Sequence, residues 1–129
     1  FEDAKINRIV VTGKFFDTKE FCLDELEQDK DNYYVYKTVD RNYFNSIWVK
    51  DKIKYEIGKE MKAPEIDIDE NKLCGAGLNV GTLNWCLAYN QEKILMVEIP
   101  KEDNVIVIPK NSDGKFRVKR LKIIRELKL

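Results

Sequence analysis

Histidine is absent from the chain, and this removes whole classes of chemistry. Without it there is no Ser–His–Asp triad, no Cys–His dyad and no histidine metal site. Cysteine is scarce: Cys22, Cys74 and Cys86 are odd in number and well separated, with no C-x-x-C pair. That pattern argues against a disulfide framework and a structural zinc, and fits a reducing compartment, the cytoplasm. An excess of either charge is lacking too. The 23 basic residues balance 23 acidic ones, so no global field draws the chain onto nucleic acid or a membrane surface. No apolar run approaches the roughly 20 residues of a membrane-spanning helix. The N-terminus opens on charged residues rather than on the apolar stretch of a signal peptide. No motif asks for a cofactor, and none is expected.

What remains is a chain of 129 residues, 43% hydrophobic and 36% charged. That is enough apolar material for one domain over residues 1–129 with a core of its own. The chain begins at Phe1 rather than at Met, which fits a segment of a longer protein, and residues 1–6 read as the tail of an earlier element.

Residues 6–12 are apolar and β-branched, a strand closed by Gly13. Asp17-x-x-Glu20 is a capping-box pattern before Phe21, Cys22, Leu23 and Leu26, which share one helical stripe. That helix is expected to end in the polar run 28–32. Residues 33–39 are an aromatic and β-branched strand. Alternating apolar positions across 46–58 predict a hairpin bent at Asp51 and Lys52. Residues 61–72, with Pro64 and many acids, predict a loop with at most a short extended piece. A helix is expected over 83–89 with Thr82 as N-cap. The continuous apolar runs 94–99 and 105–108 predict strands covered on both faces. Leu95, Val97, Ile99, Val105, Val107, Val118, Leu121 and Ile123 form the expected core. Residues 111–114 form a turn. Residues 115–127 are a long strand whose apolar positions change parity, which places a β-bulge near Lys119 and Arg120. The expected fold is α+β: a strongly bent, mostly antiparallel sheet of about six to seven strands with two short helices.

The segment CGAGLNVGTLNW, residues 74–85, is the most site-like. Its glycines, Gly75, Gly77 and Gly81, are spaced one residue longer than the dinucleotide fingerprint and follow an acidic segment instead of a buried strand. No Lys-Ser or Lys-Thr pair follows, so it is not a P-loop. Gly77 or Gly81 is expected in a conformation that other residues disfavour. Trp85 cannot join the stripe Leu83–Cys86–Leu87, so it is either free for a contact, with Tyr89 on its side, or packed under the 61–72 loop. Lys115, Arg117, Arg120 and Lys122 read as one solvent-facing basic stripe, the pattern of any half-buried strand as well as of a phosphate track. Asp67, Asp69 and Glu70 lack the spacing of a calcium loop and read as a solvated segment.

Several stretches carry a resemblance: YKTV near 36–39, YEIGK at 55–59, CGAGLNVGTLNW, ILMVEIP at 94–100, VIVIP at 105–109 and GKFRVKRLKIIREL at 114–127. Over residues 33–127 the chain resembles a family of bacterial and phage domains found after pentapeptide repeats and in rapid-lysis B-type proteins of T4-like phages. The family pattern is C-x-x-G-L-H-V-G, then V-x-x-x-P, then K-x-R-V. Cys74, Gly77, Leu78, Val80 and Gly81 match its first part, Val105 and Pro109 its middle, and Lys115, Arg117 and Val118 its end. Asn79 stands where the family has histidine. Residues 1–6 faintly resemble the last coil of a pentapeptide repeat, with Ala4 and Ile6 inward. The family carries no established activity, so the resemblance implies membership rather than mechanism.

These readings converge on a non-enzymatic binding or interaction module of phage or mobile-element type. Its expected contact residues are Gly77, Asn79, Gly81, Thr82 and Trp85, and its partner a protein or a small anionic ligand. The rival is an enzyme or binder acting on a nucleotide or phosphate-bearing ligand, held by backbone N–H groups of residues 81–84 with Tyr55 or Glu56 supplying polar chemistry.

Overall fold

The computed structural model describes residues 9–11, 23–45, 52–89 and 92–128, the first of these through the backbone only. Its strands are β1 (Ile9–Val11), β2 (Glu27–Gln28), β3 (Asn32–Val39), β4 (Glu60–Lys62), β5 (Leu78–Gly81), β6 (Lys93–Pro100), β7 (Ile106–Ile108), β8 (Lys115–Val118) and β9 (Arg120–Glu126). They join one sheet in the order β1-β7-β8-β5-β3-β6-β9-β4, with β2 paired to β3 beside this path. Every pairing is antiparallel except β1 with β7.

The centre of the sheet follows from period-two patterning. β3 and β6 pair without interruption from Asn32↔Pro100 to Val39↔Lys93. Their inward residues, Tyr33, Val35 and Val39 with Leu95, Val97 and Ile99, are all buried. Side chains alternate across a strand, so one register brings both apolar sets to the same face. Leu78, Val80, Phe116, Val118, Leu121 and Ile123 complete that core from β5, β8 and β9. Of the eight expected core residues, only Val105 is half-buried instead of buried.

The last strand breaks where its parity changes. β8 pairs with β5 and β7, whereas β9 pairs with β6 and β4. Between them Lys119 donates its N–H to the Val105 carbonyl and accepts from Ala63 N–H, so neither backbone group is lost at the corner. The chain thus passes from one flank of the sheet to the other through a single residue. Among the described residues the sheet is open, with β1 and β4 at the two ends of the path.

Several expectations need correction. The described residues hold nine strands, one α-helix, α1 (Leu83–Ala88), and one 3-10 turn at Leu23–Glu25. The additional strands are short ones that break no long apolar run. Most important is β5, which occupies the second half of the glycine segment. Leu78 and Val80 point to the core there, so the segment is a strand and not only a loop. The capping box at 17–20 lies outside the described residues. The part of that element which is described, 23–25, is a 3-10 turn, and Glu27–Gln28 is already strand. Of the hairpin expected across 46–58, residues 46–51 lie outside the described residues; on either side of them Phe44 pairs antiparallel with Lys54, Asn45 N–H donates to the Ile53 carbonyl and Tyr55 N–H to the Tyr43 carbonyl, while Ile57 is exposed at a turn with Gly58 at φ +88. The bend at Asp51 lies outside the described residues.

Candidate functional site

The glycine segment is organised by Arg117, a residue the sequence placed on a solvent face. Its side chain is fully buried instead, and this breaks the expected basic stripe. Nε donates to the Asp67 carbonyl at 2.6 Å, Nη2 to the Asp69 carbonyl at 2.7 Å and Nη1 to the Lys72 carbonyl at 2.9 Å. The planar fork of a guanidinium suits three such acceptors, and each charge-assisted bond offsets part of the desolvation. Burial pulls the Arg117 pKa down, and the nearby Asp67 and Asp69 carboxylates oppose that shift. The acidic loop is therefore a strap folded over β8, with its carbonyls turned inward and its carboxylates occupied along the chain. Asp67 accepts from Asp69 N–H and from the Lys72 ammonium, which hold its carboxyl below the ordinary range. Asp69 accepts from Asn71 N–H.

The glycines make this close approach possible. A Cβ on Gly75 would come within 3.2 Å of the guanidinium carbon of Arg117, and one on Gly77 within 3.0 Å of Ile66. Gly77 also adopts φ +128, as expected for one of the pair. Gly81 has no such φ. Its role is steric, since a Cβ there would stand 2.8 Å from the Trp85 ring. Asn79 turns toward the loop, donating to the Gly75 and Gly77 carbonyls at 3.3 and 3.4 Å. Its Oδ1 is buried without a partner. Beneath it lies a second buried cation: the Lys37 ammonium donates to the Asn79 carbonyl at 2.7 Å and sits 4.9 Å from the Tyr55 ring. Burial lowers the Lys37 pKa to about 8. Tyr55, which the rival reading gave polar chemistry, is itself core, and burial pushes its phenol up.

Helix α1 begins as expected. Thr82 is its N-cap, with Oγ1 accepting from Trp85 N–H at 3.2 Å. The Thr82 N–H is used as well, bonded to the Gly114 carbonyl. Cys86 is buried, and burial pushes its thiol up to about 12. Leu87, expected in the core stripe, is 48% exposed, because six helical residues are too few for a second core contact on that side. Trp85 is half-buried. Its ring covers Gly81, its Cβ crowds Gly114, and it meets the Tyr89 ring at 4.9 Å between centroids with a 33° tilt. Tyr89 is 58% exposed and Leu73 53%. Tyr36 lies directly opposite Gly81 in the β3–β5 register, on the face that Trp85 covers.

The five expected contact residues therefore differ in place. Gly77 and Asn79 lie inside the strap, Gly81 lies under an indole, Thr82 is a cap, and Trp85, half-buried, is the one of the five with a large apolar side chain that reaches the surface. Sequence reading missed the signal that frames this surface: residues 73–91 hold nineteen consecutive positions without a charge, in a chain that is 36% charged. Among the described residues no group of acidic or cysteine side chains is arranged to hold a metal ion. No helix among them is long and apolar enough to cross a membrane.

No protein-family model matches the chain, and no curated protein or solved structure shows significant similarity to it.

Proposed function

We propose that the chain is a non-enzymatic protein-binding module whose contact surface is the α1 side of the glycine segment. One observation carries this reading. The charge-free stretch 73–91 puts Leu73, Trp85, Leu87 and Tyr89 at or near the surface of a chain otherwise dense in charge. Interface centres are depleted in charge and enriched in aromatic side chains, whereas ordinary solvated surface is not. The polar machinery nearby serves the fold: Arg117, Asn79 and the Thr82 cap are all engaged within the chain. The rival, a nucleotide or other phosphate at residues 81–84, has less behind it, because the Thr82 N–H already donates to the Gly114 carbonyl and α1 is only six residues long. A phage or mobile-element origin rests on the resemblance over residues 33–127, and a cytoplasmic setting on the odd, separated cysteines.

The test compares the wild-type chain with Leu87→Asp/Tyr89→Asp, both side chains being exposed. A partner protein retained in stoichiometric amount by the wild type and lost by the folded double variant supports the reading. A partner retained equally by both, or thermal stabilisation by nucleotides that Thr82→Ala abolishes, overturns it.

A further inference from the structure

A nucleophilic sulfur and an amine meet where the strap ends and β8 begins. We propose that Cys74 and Lys115 form a peroxide-responsive modification site, in which oxidation of Cys74 joins its sulfur covalently to the Lys115 side-chain nitrogen. This goes beyond the binding-module reading and does not rest on it. The Lys115 Nζ lies 2.7 Å from the Cys74 Sγ and donates also to the Leu73 carbonyl at 3.3 Å. Reacting atoms about 3–3.5 Å apart are already in a near-attack arrangement, and this pair is nearer still. Both partners are held there by the fold. Lys115 opens β8 and pairs with Gly81 of β5, while the strap leading to Cys74 is pinned by Arg117 at the Asp67, Asp69 and Lys72 carbonyls. The amine is therefore delivered to the sulfur by packing, not by chance encounter.

The surroundings of Cys74 differ from those of Cys86. Cys86 is buried, and burial pushes its thiol up to about 12, the setting of an inert core cysteine. Cys74 is exposed, so a small oxidant reaches it. Two cations lie near its sulfur: Lys115, and Arg117, whose pKa is lowered by burial against the opposing charges of Asp67, Asp69 and Cys74. Reactive cysteines occupy exposed, electropositive surroundings of this kind. The chemistry consumes one molecule of hydrogen peroxide. The Cys74 thiolate attacks a peroxide oxygen, the O–O bond breaks, and the hydroxide that leaves takes up the thiol proton as water. Sulfur is thereby oxidised by two electrons to the sulfenic acid. Lys115 gives its ammonium proton to solvent, and its nitrogen lone pair attacks the sulfenic sulfur. The S–N bond forms, the S–O bond breaks, and the departing hydroxide removes an amine proton as a second water. The product is a sulfenamide, as in the condensation of sulfenic acids with backbone nitrogen. It ties the end of the strap to β8 and removes both the thiol and the ammonium charge from the flank of Gly81.

The experiment exposes the reduced full chain to a small excess of hydrogen peroxide and follows intact mass and peptide maps. The expected product is a monomer two hydrogens lighter than the reduced chain, with the peptide bearing Cys74 joined to the peptide bearing Lys115. Dithiothreitol is expected to restore the starting mass, returning the thiol and the amine. Lys115→Arg keeps the cation beside the sulfur but removes the primary amine. Its expected product carries oxygen on Cys74 and no link, and Cys74→Ser is expected to show neither. Three results would overturn the proposal: a wild-type map with oxygen retained on Cys74 and no link, a Cys74 disulfide in place of the link, or the same products from wild type and Lys115→Arg. The wild-type map decides by itself should either variant fail to fold.

Discussion

Two buried cations show how single side chains replace backbone pairing. Arg117 satisfies three carbonyls of a strap that has no strand partner of its own. Arg117→Lys keeps the charge but not the fork, so it is expected to lose about 3 kcal/mol, from two or more charge-assisted bonds left unmade. Urea denaturation measures this, and a loss below about 0.5 kcal/mol would mean that water serves the carbonyls equally well. Lys37 acts where β3 and β5, paired only at Tyr36↔Gly81, part company, and its ammonium reaches the Asn79 carbonyl. Because burial holds its folded pKa near 8, below the 10.5 of an exposed lysine, the unfolded chain binds more protons between those values. Stability should therefore rise with pH from about 8 to 10.5, by about 3 kcal/mol in all. Unfolding free energies of wild type and Lys37→Met across that range isolate the effect. Parallel curves would show that the ammonium is hydrated.

At the scale of elements, the joints decide the architecture. Asn104 is 2% exposed and ties three segments together: its Nδ2 donates to the Pro100 and Arg120 carbonyls, and its Oδ1 accepts from Arg120 and Val105 N–H. All its polar capacity is spent where β6 ends, β7 approaches and β9 begins. Asn104→Ala should cost about 2–3 kcal/mol, since it leaves buried backbone groups unmet, and the loss should appear as a lower urea midpoint. An unchanged midpoint would show the corner to be held by Lys119 alone. Legibility followed locality. Strands β3, β6 and β7, the Thr82 cap and the break at Lys119 were readable because each is written in neighbouring residues. Strand β5 was hidden because glycines chosen for close packing look like loop glycines. The roles of Arg117 and Asn104 were not legible, because they depend on which distant segment lands on them. For the same reason Trp85 was separable from the core stripe in sequence, but its seat on Gly81 was not.

For the whole molecule, the pairings that define the core are distant in sequence. Val35 meets Val97, Leu78 meets Val118, and Met61 meets Leu121. Closing such separations before any contact rewards them is slow, so refolding by stopped-flow dilution should occupy milliseconds to seconds. A microsecond phase carrying most of the amplitude would contradict this. The order of assembly along the path also matters. Strand β6 has β3 on one side and β9 on the other, and β9 is the last strand in sequence among the described residues. During synthesis the chain therefore emerges from the ribosome with the second edge of β6 bare, an eight-residue ribbon with only Lys93 and Glu98 charged, able to template pairing with any other extended chain. Until residues 120–126 are free to dock, the nascent protein depends on chaperones or on dilution to stay unaggregated, and ribosomes stalled near residue 119 would release a product that sticks to its own kind.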